Sequence, residues 1–382
     1  MKSAIESSQN SSLLHLPNLN SIRFIAALLV IFSHIELYRE FMGQESLIAI
    51  MGIFAGFGVD VFFALSGFLI TYLLIIENKK CGKIHIGHFY VRRILRIWPL
   101  YYFILILGAI LELYFHQSSP LLAEFNWDAF KYYFFFLPQV GKGFYIGSVC
   151  IAILWSIGVE ELFYLLFPWL YNRIVNSPFK RLAGIILFLI SAKIVAIYIL
   201  YKYAPIDSWS GIIKTLTMIR FENLLIGSFM AFVGVSYRER LVNSVFLILP
   251  LFAVFVSIIF LAVMNVNFYI SESIGPILQS VVTPFIVSSL VGAIIAFLAL
   301  VPSLSGVLEH SVLNYLGKIS FGLYVYHCLA LTLLSTLPLA YAPSSWLTTF
   351  GCTIFLTVLF AAISYKYFEK PFLAKSSNYR HI

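Results

Sequence analysis

Ten stretches of this chain stay apolar for about 20 residues at a time, the length a helix needs to cross the hydrocarbon core of a bilayer. They run over 19–38, 51–76, 96–115, 150–172, 182–202, 212–235, 244–266, 274–300, 312–335 and 346–368. A spanning segment must satisfy its own backbone polar groups, so the choice is between helices and a closed barrel. A barrel would show short alternating segments, whereas these runs are continuous. Composition agrees: 61% of the residues are hydrophobic and 11% charged, against roughly 25% charged in a soluble domain. The expectation is an all-α polytopic membrane bundle of about ten helices.

The aromatic stretch 125–140, closed by Pro138, is too short to span and reads as an interfacial or re-entrant segment. The polar residues 1–18 lack a basic region and a cleavage site, which points to a retained first helix rather than a signal peptide. A membrane domain over 19–372 and a short tail over 373–382 follow. A formal charge of +8 is compatible with nucleic acid, but the basic residues fall in loops on one side. Lys79, Lys80, Lys83, Arg92, Arg93, Arg173, Lys180, Arg181, Arg238 and Arg240 oppose only Arg39, Lys131, Lys142, Lys202 and Lys214. That asymmetry puts both termini in the cytoplasm and leaves no case for a nucleic-acid partner. Cys81, Cys150, Cys328 and Cys352 form no CxxC or regular spacing, so neither a disulfide nor a zinc site is expected.

Ionisable groups inside spans cost roughly 2.5–3.5 kcal/mol each to insert and ask for a reason. They are Arg23, His34, Glu36, Asp60, Glu160, Glu161, Lys193, Arg220, Glu222, Lys318 and His327, with Glu112 near a helix end. Lys193 reads as structural. Arg23 and His34 are eleven residues apart and share one helix face, roughly 16 Å apart along the axis. An imidazole can serve as a base near neutral pH, or simply bond a backbone carbonyl. In GVDVFFALSGFLI, Asp60 and Gly67 share a face with Ser66 beside it; Asp60 either pairs with His34 or reaches interfacial water. Arg93 and Arg96 lie one turn apart, suited to phosphate oxygens or to anchoring at the interface. Glu160 and Glu161 point about 100° apart and can face different partners, for example Arg220 and a substrate hydroxyl. Pro168 should kink their helix, and such breaks often line cavities. Arg220 and Glu222 suggest a buried charge network. Ser320, Tyr324 and His327 share one face, directed to the bundle interior.

Taken in order, these segments resemble the acyltransferase 3 family of membrane-bound acyltransferases over nearly the whole chain. The motifs are LNSIRFIAALLVIFSH at 19–34, GVDVFFALSGFLI at 58–70, RRILRIWPLY at 92–101, LWSIGVEELFYLLFP at 154–168, LGKISFGLYVYH at 316–327 and YFEKPF at 367–372. Where the family often has Asp-Gly before the first-helix arginine, this chain has Asn20 and Ser21. The resemblance implies transfer of an acyl group, usually acetyl, from cytoplasmic acyl-CoA to a hydroxyl. The acceptor would be a sugar of a surface polysaccharide or lipid-linked glycan, or a small secreted molecule. It also implies a multi-pass protein of a cell membrane, a bacterial inner membrane by preference, without a fused esterase-like domain.

The expected roles then follow. His34 is the base, with Asp60 or Glu160 orienting it. Arg93 and Arg96 bind the donor phosphates with help from Arg23. Trp155, Glu161, Ser66, Tyr324 and His327 contact substrate. Acetyl-CoA is a donor substrate rather than a resident cofactor, no metal is expected, and the partners are acyl-CoA, a glycan acceptor and membrane lipid, with a homodimer as an option. An acyl-histidine intermediate is a variant of the same chemistry. A transporter or flippase would also need intramembrane charges, but no matching pair of broken helices recurs in two halves. A non-catalytic scaffold would have no use for His34 and two glutamates in apolar spans.

Overall fold

The computed structural model describes residues 16–44, 51–145, 147–203, 206–237, 275–301, 304, 306–337 and 345–379. The secondary structure among them is helical throughout, without a strand. Fifteen helices follow in order: α1 (Leu19–Phe41), α2 (Met51–Cys81), α3 (Ile86–Phe115), α4 (Trp127–Phe134), α5 (Pro138–Phe144), α6 (Val149–Ala152), α7 (Trp155–Ile174), α8 (Pro178–Tyr203), α9 (Ile206–Met218), α10 (Phe221–Ser236), α11 (Gly275–Leu300), α12 (Ser311–Lys318), α13 (Ser320–Ser335), α14 (Trp346–Ser364) and α15 (Lys370–Ser377). A π-helical turn, Tyr365–Glu369, joins the last two. Eight spans among the described residues are long and apolar enough to cross a membrane, and the bent pair α12–α13 makes nine where it counts as one. The chain is a multi-pass membrane helix bundle. The expected helix over 244–266 lies outside the described residues, as do most of the polar N-terminal segment and residues 380–382 of the tail.

Helix α2 is the centre of the bundle and α8 lies at its edge: 78% of the apolar window of α2 is buried, against 17% for α8. The central helix packs on α1 and α10. Glycines make the second contact close. A Cβ on Gly67 would stand 1.8 Å from the Leu224 carbonyl oxygen, and one on Gly227 would stand 2.0 Å from that of Ala64. Small residues of this kind let two backbones approach directly in a membrane, where lipid is as apolar as leucine.

The start of α1 is pinned. Asn18 adopts a left-handed conformation (φ 66°), which asparagine tolerates better than most residues. Its side chain donates to the carbonyls of Leu298 and Leu304, both at 2.8 Å, and accepts from the Leu308 amide at 2.9 Å. Ser21 Oγ donates to the Leu308 carbonyl at 2.6 Å. These bonds fix the height at which Arg23 emerges.

Several spans differ from the apolar runs that predict them. Helix α3 begins at Ile86, ten residues before its run, because basic side chains at an interface can stay helical while their heads reach water. Helix α7 runs on through Pro168 to Ile174 without a break. Breaks occur instead at Ile219–Arg220, between α9 and α10, and at Ile319, where α12 and α13 meet at a 70° bend. The first break frees the Ile219 carbonyl, and Lys193 Nζ donates to it at 2.6 Å while reaching Glu222 at 2.5 Å. Lys193 thus repairs a broken helix, the structural role its position suggested. The aromatic stretch 125–140 holds two short helices, α4 and the start of α5. Asn126 caps α4 by accepting from the amides of Asp128 and Ala129, and Pro138 opens α5.

Candidate active site

Two cavities adjoin at Arg23 and Arg96, the inner one opening beside α2. The inner one, about 90 Å³, is lined by Arg23 from α1, Phe62 and Ser66 from α2, Arg93 and Arg96 from α3, Ser156, Glu160 and Tyr164 from α7, and Ser320 and Tyr324 from α13. The outer one, about 290 Å³, shares Arg23, Arg96 and Phe321 and adds Asn20, Lys318, Tyr365 and Glu369. Three arginines and a lysine therefore converge from α1, α3 and α12. Sequence spacing aligned Arg93 with Arg96; the fold brings Arg23 to them, close enough for the three charges to act on one another.

Arg93 is held by aromatic faces. Its guanidinium lies 5.8 Å from the Phe89 ring centre and 5.5 Å from that of Tyr164. Its Nε is buried without a hydrogen-bond partner, a free donor beside the cavity. Glu160 accepts from Ser66 Oγ at 2.7 Å and from the Tyr164 hydroxyl at 3.1 Å, a carboxylate fixed on the cavity wall. Glu161 turns away and accepts from Trp98 Nε1 at 2.8 Å. Adjacent helix positions do face different partners, but neither glutamate takes Arg220.

Arg220 belongs to Asp60. Its Nη1 donates to Asp60 Oδ1 at 2.7 Å, and Asn223 Nδ2 donates to the same oxygen at 2.8 Å. The pairing of Asp60 with His34 left open by the sequence is therefore not what the fold makes. Glu222 likewise pairs with Lys193 rather than with Arg220. Trp155 sits under both Arg220 and Lys142, whose charged groups lie 5.6 and 5.8 Å from its ring centre.

His34 stands outside the inner cavity. Its Nδ1 bonds the Val30 carbonyl at 2.9 Å, and a carbonyl can only accept, so Nδ1 carries the proton. The neutral ring then presents Nε2 as a lone pair, the form a general base requires. His327 is arranged in the same way, its Nδ1 donating to the Tyr324 carbonyl at 2.6 Å. The two imidazoles meet edge to face with ring centres 4.9 Å apart. His327 lies 6.0 Å from the Tyr324 ring, and Tyr324 lines the cavity. The phenol of Tyr324 is tied to Ser156 Oγ at 2.7 Å and to the Ile153 carbonyl at 3.0 Å. The strip Ser320–Tyr324–His327 is thus divided: the first two face the cavity and the third backs onto His34.

Sequence reasoning missed four members of this region. Lys318 was visible as an intramembrane charge without a place. Glu369 sits in the YFEKPF stretch, and only the π-turn shows that it faces the outer cavity. Asn223 is one residue beyond Glu222, and no helix pattern singles it out. Cys328 Sγ lies 3.2 Å from His327 Nε2. All four cysteines are free thiols, Cys81 and Cys352 exposed and Cys150 and Cys328 buried.

No solved structure matches the chain. Among proteins of known sequence, O-acetyltransferase OatA of Staphylococcus aureus (strain NCTC 8325 / PS 47) is 26% identical over 388 residues, covering 94% of this chain and 58% of the relative. A second protein of Staphylococcus aureus (strain COL), whose name reads "Putative O-acetyltransferase", is 24% identical over 372 residues, covering 94% of this chain and 57% of the relative. The chain therefore spans less than three fifths of the length of these relatives. The profile of the acyltransferase domain family matches residues 16–366, which takes in every side chain of the two cavities except Glu369 and Leu373. With a match of that extent, the chain belongs to the acyltransferase 3 family.

Proposed function

We propose that this protein is a membrane O-acetyltransferase that moves an acetyl group from acetyl-CoA to a hydroxyl of a sugar, in a surface polysaccharide or a lipid-linked glycan. The observation that carries it is the convergence of Arg23, Arg93, Arg96 and Lys318 on one pair of cavities whose inner wall ends at Tyr324, one ring away from the His34–His327 pair. Guanidinium forks match phosphate oxygens, and a cluster of them suits the several phosphates of a CoA nucleotide. The outer cavity takes that anionic end on the cytoplasmic side, and the acyl arm enters the inner one. Names of the relatives support O-acetyl transfer.

In this reading His34 Nε2 accepts the proton of the acceptor hydroxyl as its oxygen attacks the thioester carbonyl. The carbon–sulfur bond breaks, and the imidazolium returns the proton to the departing CoA thiolate. An ester and free CoA result. A hydroxyl is a weak nucleophile at neutral pH, so a positioned base contributes roughly 10²–10⁴-fold. Glu160, bonded to Ser66 and Tyr164, is placed to balance the arginines around the donor rather than to orient His34. For that orientation the Val30 carbonyl takes the place the sequence suggested for a carboxylate. Asp60, paired with Arg220, lines neither cavity and stays a structural group in this reading.

The test is purified protein given labelled acetyl-CoA and a glycan-bearing membrane fraction. Base-labile label on the glycan, absent with His34→Ala, is the expected result. Label that never reaches a hydroxyl, while the folded protein still binds CoA, would overturn the assignment.

A further inference from the structure

No spacing rule in the sequence pairs His34 with residues nearly three hundred positions later, yet the fold places His34, His327 and Cys328 together. One ligand atom from each lies within 4.8 Å of the other two, a group found among the described residues without any CxxC pattern. His327 and Cys328 are fully buried, and His34 is half-buried.

The hydrogen bonds prepare these atoms for a metal. Both imidazoles spend Nδ1–H on a backbone carbonyl, Val30 for His34 and Tyr324 for His327, which leaves both Nε2 atoms as lone-pair acceptors, that of His327 bonded to the Cys328 thiol. Metal-binding histidines are held in this way, with the second nitrogen donating to a carbonyl or carboxylate that fixes ring and tautomer. Cys328 Sγ already stands 3.2 Å from His327 Nε2. Bonds of about 2.0–2.1 Å to nitrogen and 2.3 Å to sulfur set tetrahedral ligands roughly 3.5 Å apart, so small side-chain rotations suffice. Two imidazoles and one thiolate suit zinc, and three protein ligands leave a fourth position open.

We propose that His34, His327 and Cys328 bind a single Zn²⁺ ion. Binding displaces the Cys328 thiol proton to solvent and forms one Zn–S and two Zn–N bonds. The ammonium of Lys142 acts electrostatically on both His34 and Cys328. It opposes a bare cation, so the thiolate is the ligand on which affinity depends. An occupied site also engages the His34 lone pair, so zinc inhibits acyl transfer. That consequence rests on His34 being the base; the binding does not.

Cobalt(II) reports the site directly, because a thiolate ligand adds a charge-transfer band and a four-coordinate ion intensifies the visible bands. The protein used is the full chain in detergent with Cys81→Ser and Cys352→Ser, which removes the exposed thiols. We expect one Co²⁺ per chain with a thiolate band, displaced by one equivalent of Zn²⁺. Cys328→Ala should abolish the band, and His327→Gln should weaken binding at least about tenfold. A single symmetric size-exclusion peak and a thermal midpoint close to that of the background protein show that each variant is folded. A folded background protein without the band, a band that survives Cys328→Ala, or equal affinity in His327→Gln would overturn the site. Failure of glycan acetylation leaves these spectra untouched, so the two proposals fail separately.

Discussion

Arg220 and Asp60 close an ion pair at 2.7 Å between the break that starts α10 and the first third of α2, with Asp60 buried and Arg220 partly so. Asn223 donates to the same carboxylate oxygen, and the Arg220 guanidinium rests on Trp155. Removing one partner of such a pair leaves the other charged and desolvated, at a cost of about 3–5 kcal/mol. Asp60→Asn should therefore lower the thermal midpoint in detergent, and Asp60→Asn with Arg220→Met should recover part of the loss. A wild-type midpoint with lost turnover would instead place Asp60 in the chemistry.

Arg93 is the arginine whose replacement should matter most to the donor. It is stacked between Phe89 and Tyr164 and keeps a buried, unpartnered Nε. Hydrogen bonds to charged groups contribute about 1.5–3 kcal/mol, so Arg93→Lys should weaken acetyl-CoA binding roughly 10–100-fold. Arg96 is exposed, and Arg96→Lys should cost less. Calorimetric titration with acetyl-CoA checks the order of the two.

If the proposed roles hold, His34→Ala should lower kcat by about 10²–10⁴ while leaving acetyl-CoA affinity within a factor of a few, because His34 does not line the arginine-rich cavity. Single-turnover measurements separate the two constants. Near-normal turnover would move the base to His327, whose Nδ1 likewise donates to a backbone carbonyl.

The α2–α10 crossing has no room for a side chain. Gly67→Val would drive its Cβ into the Leu224 carbonyl, and overpacking of this kind typically costs about 1–3 kcal/mol. The same helices carry Asp60, Ser66 and Asn223, so both stability and donor binding should fall. Gly56→Ala, with nothing within 4 Å, should do neither. Size-exclusion and thermal-shift profiles of the two variants distinguish the cases.

Hydropathy made the bundle legible because lipid permits so few alternatives. Helix phase made Arg93 and Arg96 neighbours and put Ser320 beside Tyr324. Phase fixes an angle about one axis and says nothing of which helix stands opposite. That is why Asp60 was offered to His34 and went to Arg220, and why His34 met His327 and Cys328 unforeseen. The two helix breaks went unforeseen for a related reason. Neither Arg220 nor Ile319 is a glycine or proline, and the break before Arg220 is held by a tertiary partner, Lys193.

The cations of the two cavities are all mounted on helices: Arg23 on α1, Arg93 and Arg96 on α3, and Lys318 at the end of α12. A site built on rigid elements loses little conformational entropy when it takes its ligand, which favours affinity without a closing lid. It also stores repulsion, since like charges are held together with Glu160 and Glu369 as nearby counterweights. A polyanion that neutralises the cluster stabilises the fold by about 2.7 kcal/mol at 100 times its dissociation constant, so purification in the presence of CoA should yield a markedly longer-lived protein.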